Sequence, residues 1–152
     1  MCIRDSSEDT WQASEPQTAL VGYGSRVELQ TAQVQGETLE YFRKVTVWTT
    51  SYKPCDYAGN CYYGTSSGLP VEKGVIAVSY NWYLSFNGQR VYVTDYGYGV
   101  IADVCGGCVG MSVPWIDLGY SEEQYQALHL PNAYRTMYFL APIPGFVPVF
   151  LP

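Results

Sequence analysis

The chain has 152 residues, the size of one domain with a core of its own. Charged residues make up only 14% of it and aromatic residues 16%, and its fifteen tyrosines and fifteen glycines argue against a helical bundle and favour an all-β protein with tight turns. The net charge of −6 argues against a nucleic-acid partner, because phosphate binding needs clustered lysine and arginine.

The first twenty residues are polar and aperiodic, and we expect residues 1–20 to form a disordered lead-in. This segment lacks the basic and apolar regions of a signal peptide. No run of about 18 apolar residues occurs anywhere, so the sequence predicts no membrane span. A secreted protein would therefore require that this chain be a fragment or that its start be altered.

Two alternating segments follow and predict a hairpin. The first runs from Arg26 to Val34, a turn covers Gln35–Glu37, and a long alternating run extends from Leu39 to Tyr52. We assign residues 21–44 to an N-terminal strand and linker, which the end of a preceding β-module would supply.

The remainder predicts short strands and a single helix. Residues 54–70 are rich in glycine, serine and asparagine and predict a long loop, which in a compact domain is usually functional or disordered. The capping box Ser121–Gln124 predicts one short helix over 122–130, and Pro131 ends it. The proline-rich tail over 143–152 is expected to lie along the surface. The predicted strands are Val75–Ser79, Arg90–Thr94, Val100–Val104, Trp115–Gly119 and Tyr134–Leu140.

Four of the five cysteines occur in two close pairs, Cys55 with Cys61 and Cys105 with Cys108. Two disulfides, in these pairs or crossed, are one interpretation and would indicate an oxidising, extracellular compartment. A zinc site built from two cysteine pairs, or reduced thiols, are the alternatives. Cys2 is the odd cysteine and receives no role.

Asp103 and Asp117 stand at the ends of apolar, strand-like runs, with a glycine-rich loop between them. Carboxyl groups next to buried surface have raised pKa values and can act as general acids. Pairs of carboxylates are also the reacting groups of sugar-cleaving sites. Asp103 and Asp117 are therefore candidates for a pair of this kind.

Seven short motifs follow one another between about residue 45 and residue 142: Thr50–Tyr52, Ser66–Gly68, Gly74–Val78, Gly88–Val93, Gly97–Gly99, Asp103 with Gly106–Gly107, and Ile116–Leu118. Their order resembles the 3D domain, a family named for three aspartates and related to the catalytic barrel of membrane-bound lytic transglycosylase A. Two departures are present: Ser79 stands where the family has its first aspartate, and the segment from Asp103 to Asp117 is a few residues longer than the common pattern.

The resemblance implies a six-stranded double-psi β-barrel over 45–142, with one short helix and the N-terminal hairpin as an extension. It also implies lytic transglycosylation of peptidoglycan without a metal or cofactor. By resemblance Asp117 matches the catalytic acid and base, and Asp103 would raise the pKa of Asp117 or orient the substrate. Thr50, Tyr52, Ser67, Ser79, Gly106 and Gly107 are the expected substrate-binding residues.

Each of these roles has a structural alternative. Asp117 would cap a turn before Gly119, and Asp103 would hold the loop by accepting hydrogen bonds from the backbone N–H groups of Gly106 and Gly107. Asp95 would be a solvated turn residue rather than a substitute for the missing aspartate. Four aromatic residues are either sugar-stacking rings or core residues: Tyr62, Tyr63, Trp82 and Trp115. His129 is either a base paired with Cys105 or a surface residue.

We therefore expect a monomeric, secreted bacterial protein of the cell wall that cleaves peptidoglycan glycan strands, binds no nucleic acid and has no membrane span. A catalytically silent module that binds the wall glycan is the rival hypothesis, favoured by Ser79. A domain with a redox-active or zinc-binding CxxC motif is a weaker alternative.

Overall fold

The computed structural model describes residues 19–21 and 25–147, which form two compact units. One unit comprises the described residues up to Arg43 together with residues 140–147, and the other comprises Lys44–Phe139. The predicted lead-in lies outside the described residues up to position 18. Ala19–Val21 form a strand, β1, which pairs with β2 (Ser25–Val27) in an antiparallel register.

The predicted hairpin is confirmed. Strand β3 (Gln30–Val34) pairs with β4 (Glu37–Tyr52) in an antiparallel register that ends at the pair Val34–Glu37. The two turn residues, Gln35 and Gly36, have φ angles of 51° and 86°. Positive φ at both positions is the mark of a two-residue type I′ turn, whose twist matches that of the flanking strands.

A closed, mixed β-barrel of six strands contains the rest of β4. Around the barrel the strands follow the order β4–β8–β5–β7–β6–β9, and β9 pairs with β4 to close it. The pairs β4–β8 and β5–β7 are parallel, whereas β5–β8, β6–β7 and β6–β9 are antiparallel. The remaining elements in chain order are β5 (Val75–Val78), α1 (Tyr80–Phe86), β6 (Arg90–Val93), β7 (Gly97–Val104), β8 (Trp115–Gly119), α2 (Glu122–Leu128) and β9 (Ala133–Leu140).

The period of two along the strands fills the barrel interior with apolar side chains. In β8, for example, Ile116 and Leu118 are fully buried, while Asp117 between them is only partly buried. Successive side chains of a strand point to opposite faces, so Asp117 faces away from the core. Thr49 and Arg135 are buried polar exceptions, and the Arg135 guanidinium donates to Thr49 Oγ1 and to the carbonyl of Pro131.

The predicted helix exists as α2, with Ser121 and Gln124 forming both hydrogen bonds of the capping box. A second helix, α1, was not predicted. Its sequence is rich in aromatic residues, which have no strong helix preference. The helix is fixed instead by Trp82 and Phe86, which lie one turn apart, are buried, and contact Phe139 edge-on. Within residues 19–21 and 25–147, no helix has the length and apolar composition needed to cross a bilayer.

Candidate active site

The two predicted aspartates lie in one line across four neighbouring strands. Thr50 of β4 pairs with Asp117 of β8, Asp117 pairs with Ala77 of β5, and Ala77 pairs with Asp103 of β7. Directly paired residues on adjacent strands project from the same face of a sheet. The barrel thus brings together two carboxylates that are fourteen positions apart in the sequence.

An irregularity in β7 places Asp103 in this line. Ile76 pairs with Ile101, but the next residue, Ala77, pairs with Asp103, so that Ala102 is an extra residue in β7. Bulges of this kind re-aim the side chains that follow them. Without the extra residue, Ala102 would stand opposite Ala77, and the Asp103 side chain would project from the other face.

Asp103 is held by four donors from three segments of the chain. Its Oδ2 accepts a hydrogen bond from the hydroxyl of Tyr52 at 2.8 Å. Its Oδ1 accepts three, each at 2.9 Å, from the backbone N–H and the hydroxyl of Ser66 and from the N–H of Val104. These bonds tie the loop after β4 to the end of β7, so Asp103 has a fixed orientation. The structural alternative expected the N–H groups of Gly106 and Gly107 as donors to Asp103, and these four donors take their place.

Asp117 has a very different environment. Its Oδ1 accepts a hydrogen bond from the hydroxyl of Thr50 at 2.9 Å, and Thr50 Oγ1 in turn accepts one from the indole N–H of Trp115. The pKa of Asp117 is raised to about 6; burial is the largest cause, the hydrogen bond from Thr50 opposes it, and the charge of Asp103 adds to it. A fraction of the molecules therefore carries a protonated Asp117 at neutral pH.

Both close cysteine pairs form disulfides, Cys55–Cys61 and Cys105–Cys108. This outcome confirms one of the predicted interpretations, and it leaves these four sulfurs unable to serve as thiolate ligands of a zinc ion. The second disulfide is next to Asp117, since a carboxylate oxygen of Asp117 and the sulfurs of Cys105 and Cys108 all lie within 4.8 Å of one another. The disulfide is therefore one of the groups that surround the Asp117 carboxyl.

A cleft of about 520 Å³ opens beside Asp103. Its volume is in the range of small-molecule binding sites, and Tyr52 and Asp103 are among its lining residues. Residues of the Cys55–Cys61 loop and of α2 complete it. Its other lining residues include Lys53, Asp56, Tyr57, Asn60, Tyr62 and Tyr125.

Three further groups of predicted binding residues are positioned by other contacts. The Ser67 hydroxyl donates to Asn87 Oδ1 at 2.5 Å and shares a hydrogen bond with the Tyr83 hydroxyl at 2.9 Å, so it attaches the loop to α1. Ser79 is the N-cap residue of α1, and its side chain forms no capping hydrogen bond. Gly106 and Gly107 are exposed between the two cysteines of the second disulfide.

The remaining candidates are also placed. Trp82 is a core residue, whereas Tyr62 and Tyr63 are exposed. The exposed His129 contacts the Tyr125 carbonyl through Nδ1, and its proposed partner Cys105 has no free thiol because of its disulfide. The Asp95 carboxylate pairs with Arg135 Nε at 3.3 Å. Trp115 acts through Thr50, as described above.

Sequence reasoning missed two sets of residues. Ser66, adjacent to the predicted Ser67, is the serine that binds Asp103. The ion pair Lys53–Glu122, at 2.8 Å, fixes the start of the cleft loop on α2, and Glu122 also accepts a hydrogen bond from the N–H of Cys55. The position of Glu122 in the capping-box helix gave no signal of this second contact.

Comparison of the chain with protein-family models, with curated protein sequences and with solved structures found no match. The resemblance to the 3D domain therefore depends on the order of its motifs, and the mixed six-stranded barrel is consistent with it.

Proposed function

We propose that this protein is a secreted bacterial cell-wall enzyme that cleaves the glycan strands of peptidoglycan as a lytic transglycosylase. The observation that carries the proposal is the environment of Asp117: a partly buried carboxyl on the outer face of the barrel, with a pKa of about 6 and a second carboxylate beside it. An acid with a pKa near the working pH is the group that general acid–base catalysis requires.

One carboxyl group suffices for this reaction. Protonated Asp117 donates its proton to the glycosidic oxygen as the bond to C1 of N-acetylmuramic acid breaks, and the leaving sugar departs with a new hydroxyl. The Asp117 carboxylate then accepts the proton of the C6 hydroxyl of the same muramic acid, whose oxygen attacks C1 and closes a 1,6-anhydro ring. Water is not consumed, and Asp117 ends the cycle protonated, as it began.

The neighbouring groups have supporting roles. Asp103, fixed by Tyr52, Ser66 and Val104, keeps a negative charge near the positive charge that develops at C1. The same charge raises the pKa of Asp117. Thr50 orients the Asp117 carboxyl through Oδ1.

The double-psi assignment belongs to this proposal. Parallel pairing of β4 with β8 and of β5 with β7, around the antiparallel pair β5–β8, is a mixed order that supports it. A fold hosts many activities, so the site rather than the barrel carries the functional argument. The two disulfides support an oxidising compartment outside the cell.

Digestion of purified peptidoglycan, followed by mass spectrometry, tests the proposal. We expect 1,6-anhydro-muropeptides from the natural sequence and none from Asp117→Asn. Glu123→Gln is the matched control, since it removes the charge of an exposed residue of α2 and should leave the products unchanged. Products that persist in Asp117→Asn would show that Asp117 is not the general acid.

A catalytically silent glycan-binding module is the second candidate. Ser79 favours it, because a serine supplies no charge where the family has an aspartate. This module would sediment with insoluble cell wall and release no products from it. A redox role for the Cys105–Cys108 pair is a weaker candidate, and reduction of this disulfide by a thioredoxin-type dithiol in preference to Cys55–Cys61 would support it.

A further inference from the structure

We propose that the loop closed by Cys55–Cys61, together with Tyr62 directly after it, is a sugar-binding arm, in which Tyr57 and Tyr62 stack on the rings of a neutral N-acetylhexosamine strand beyond the sugars that are joined by the cleaved bond. The inference deepens the proposed function and rests on it for the position of that bond. It adds a binding site and a preference for longer glycans over short ones.

Exposure of the two aromatic rings is the first observation. Tyr57 has 103% of its reference surface exposed and Tyr62 has 74%. Both line the cleft that Asp103 also lines. Exposed aromatic surface next to a polar cleft is typical of binding sites, because such rings gain by covering their apolar faces.

Rigidity of the arm is the second observation. The Asp56 carboxylate accepts hydrogen bonds from the N–H groups of Ala58 and Asn60 and from the Asn60 side chain. The disulfide and the hydrogen bond from Tyr62 N–H to the Pro54 carbonyl close the base of the loop. A loop that is ordered before binding loses little entropy when a ligand arrives, so stacking energy is kept as affinity.

The base of the arm is also attached to the barrel side of the cleft. Lys53 donates to the Cys55 carbonyl and to Glu122, each at 2.8 Å, and Glu122 accepts from the Cys55 N–H at 2.7 Å. The backbone at the base of the arm is thereby held next to Lys53, the residue after Tyr52, and to α2. The arm is consequently a built extension of the site rather than a free surface loop.

Charge selects the chemistry of the ligand. Among the described residues that line the cleft, Lys53 is the one cation, and Glu122 neutralises it. Asp56 and Asp103 add negative charge to the same lining. Phosphate-containing or other polyanionic strands are therefore disfavoured, whereas hydroxyl and acetamide groups of a neutral sugar can hydrogen-bond to these side chains.

The test measures binding rather than cleavage. In the Asp117→Asn background, isothermal titration with chitohexaose and with chitobiose compares a long and a short N-acetylglucosamine strand. Tyr57→Ala/Tyr62→Ala should weaken chitohexaose binding about tenfold, as expected for two aromatic contacts. Chitobiose binding should change less than twofold if the short sugar binds beside Asp103. Tyr80→Ala, an exposed tyrosine of α1 outside the cleft lining, is the matched control.

The outcomes separate this inference from the proposed function. Equal affinity of the double variant and its parent for chitohexaose would overturn the arm, and so would a parent that binds neither oligosaccharide. Length-dependent binding that requires the two tyrosines, in a protein that releases no anhydro products, would support the sugar-binding arm and contradict the proposed transglycosylase activity. Circular dichroism of the double variant shows whether the barrel is intact, and both tyrosines lie on an exposed loop away from the core.

Discussion

Replacing Asp117 with asparagine should stabilise the folded protein at neutral pH while it abolishes the proposed cleavage. The folded protein holds this carboxyl partly out of water, and its pKa rises from 3.8 to about 6, chiefly because of burial. Above that pH the folded state has to accommodate a charge that the unfolded state exposes to water. Asparagine has nearly the same size, can still accept the hydrogen bond from Thr50, and carries no charge.

The sign of the effect follows from proton linkage. Below about pH 4 the carboxyl is protonated in both states, so its contribution to the free energy of unfolding is fully present. Between 3.8 and about 6 the unfolded state loses its proton first, and this contribution is lost as the pH rises through the folded pKa. The difference between the two pKa values corresponds to about 3 kcal/mol. Since Asp117 retains some contact with water, we expect about 1 to 3 kcal/mol.

Urea denaturation of both proteins with disulfides intact, followed by tryptophan fluorescence from pH 4 to pH 8, measures this quantity. The free energy of unfolding of Asp117→Asn, relative to the natural sequence, should increase across that range and become level above about pH 7. Glu123→Gln should show no such trend, because its side chain is exposed. A relative stability that is the same at pH 4 and pH 8 would refute the argument that burial sets the pKa of Asp117.

Three further outcomes are expected. Thr50→Val removes the hydrogen bond that lowers the pKa of Asp117, so the alkaline limb of the pH–activity profile should move to higher pH. An alkaline limb that stays in place or moves to lower pH would contradict this role of Thr50. Ser79→Asp should increase the yield of anhydro-muropeptides, whereas Ser79→Asn, which can cap α1 without adding charge, should not; equal yields from both would leave capping as the explanation. Cys55→Ser/Cys61→Ser should weaken chitohexaose binding several-fold, while circular dichroism shows an intact barrel. Unchanged affinity would show that the disulfide is not needed to order the arm for binding.

The barrel strands could be predicted closely from the sequence because their burial follows a local period. Trp115–Gly119 has the predicted bounds, and Val75–Val78 is one residue shorter than predicted. Helix α1 could not be predicted, because it depends on the contact of Trp82 and Phe86 with Phe139, a residue more than fifty positions later. The intrinsic helix preference of the residues decides the conformation of such a segment only where tertiary packing does not override it.

Prediction of the site was limited for the same reason. The proximity of Asp103 and Asp117 followed from the family motifs, but the pairing that aligns them depends on the extra residue Ala102, which no local pattern marks. Adjacent hydroxyls gave a second ambiguity: Ser66 binds Asp103, and Ser67 binds Tyr83 and Asn87. Which of two neighbouring serines faces a site depends on the path of an irregular loop, and periodicity gives no information there.

The order of the causes behind the pKa of Asp117 favours the enzyme over the silent module. Burial is the largest cause, and the charge of Asp103 contributes less. A third carboxylate at position 79 would act as a neighbouring charge, so its absence removes one of the smaller contributions and leaves the larger one in place. Ser79 should therefore reduce the rate of cleavage without removing the acid, and the increase in product expected for Ser79→Asp should be modest beside the complete loss expected for Asp117→Asn.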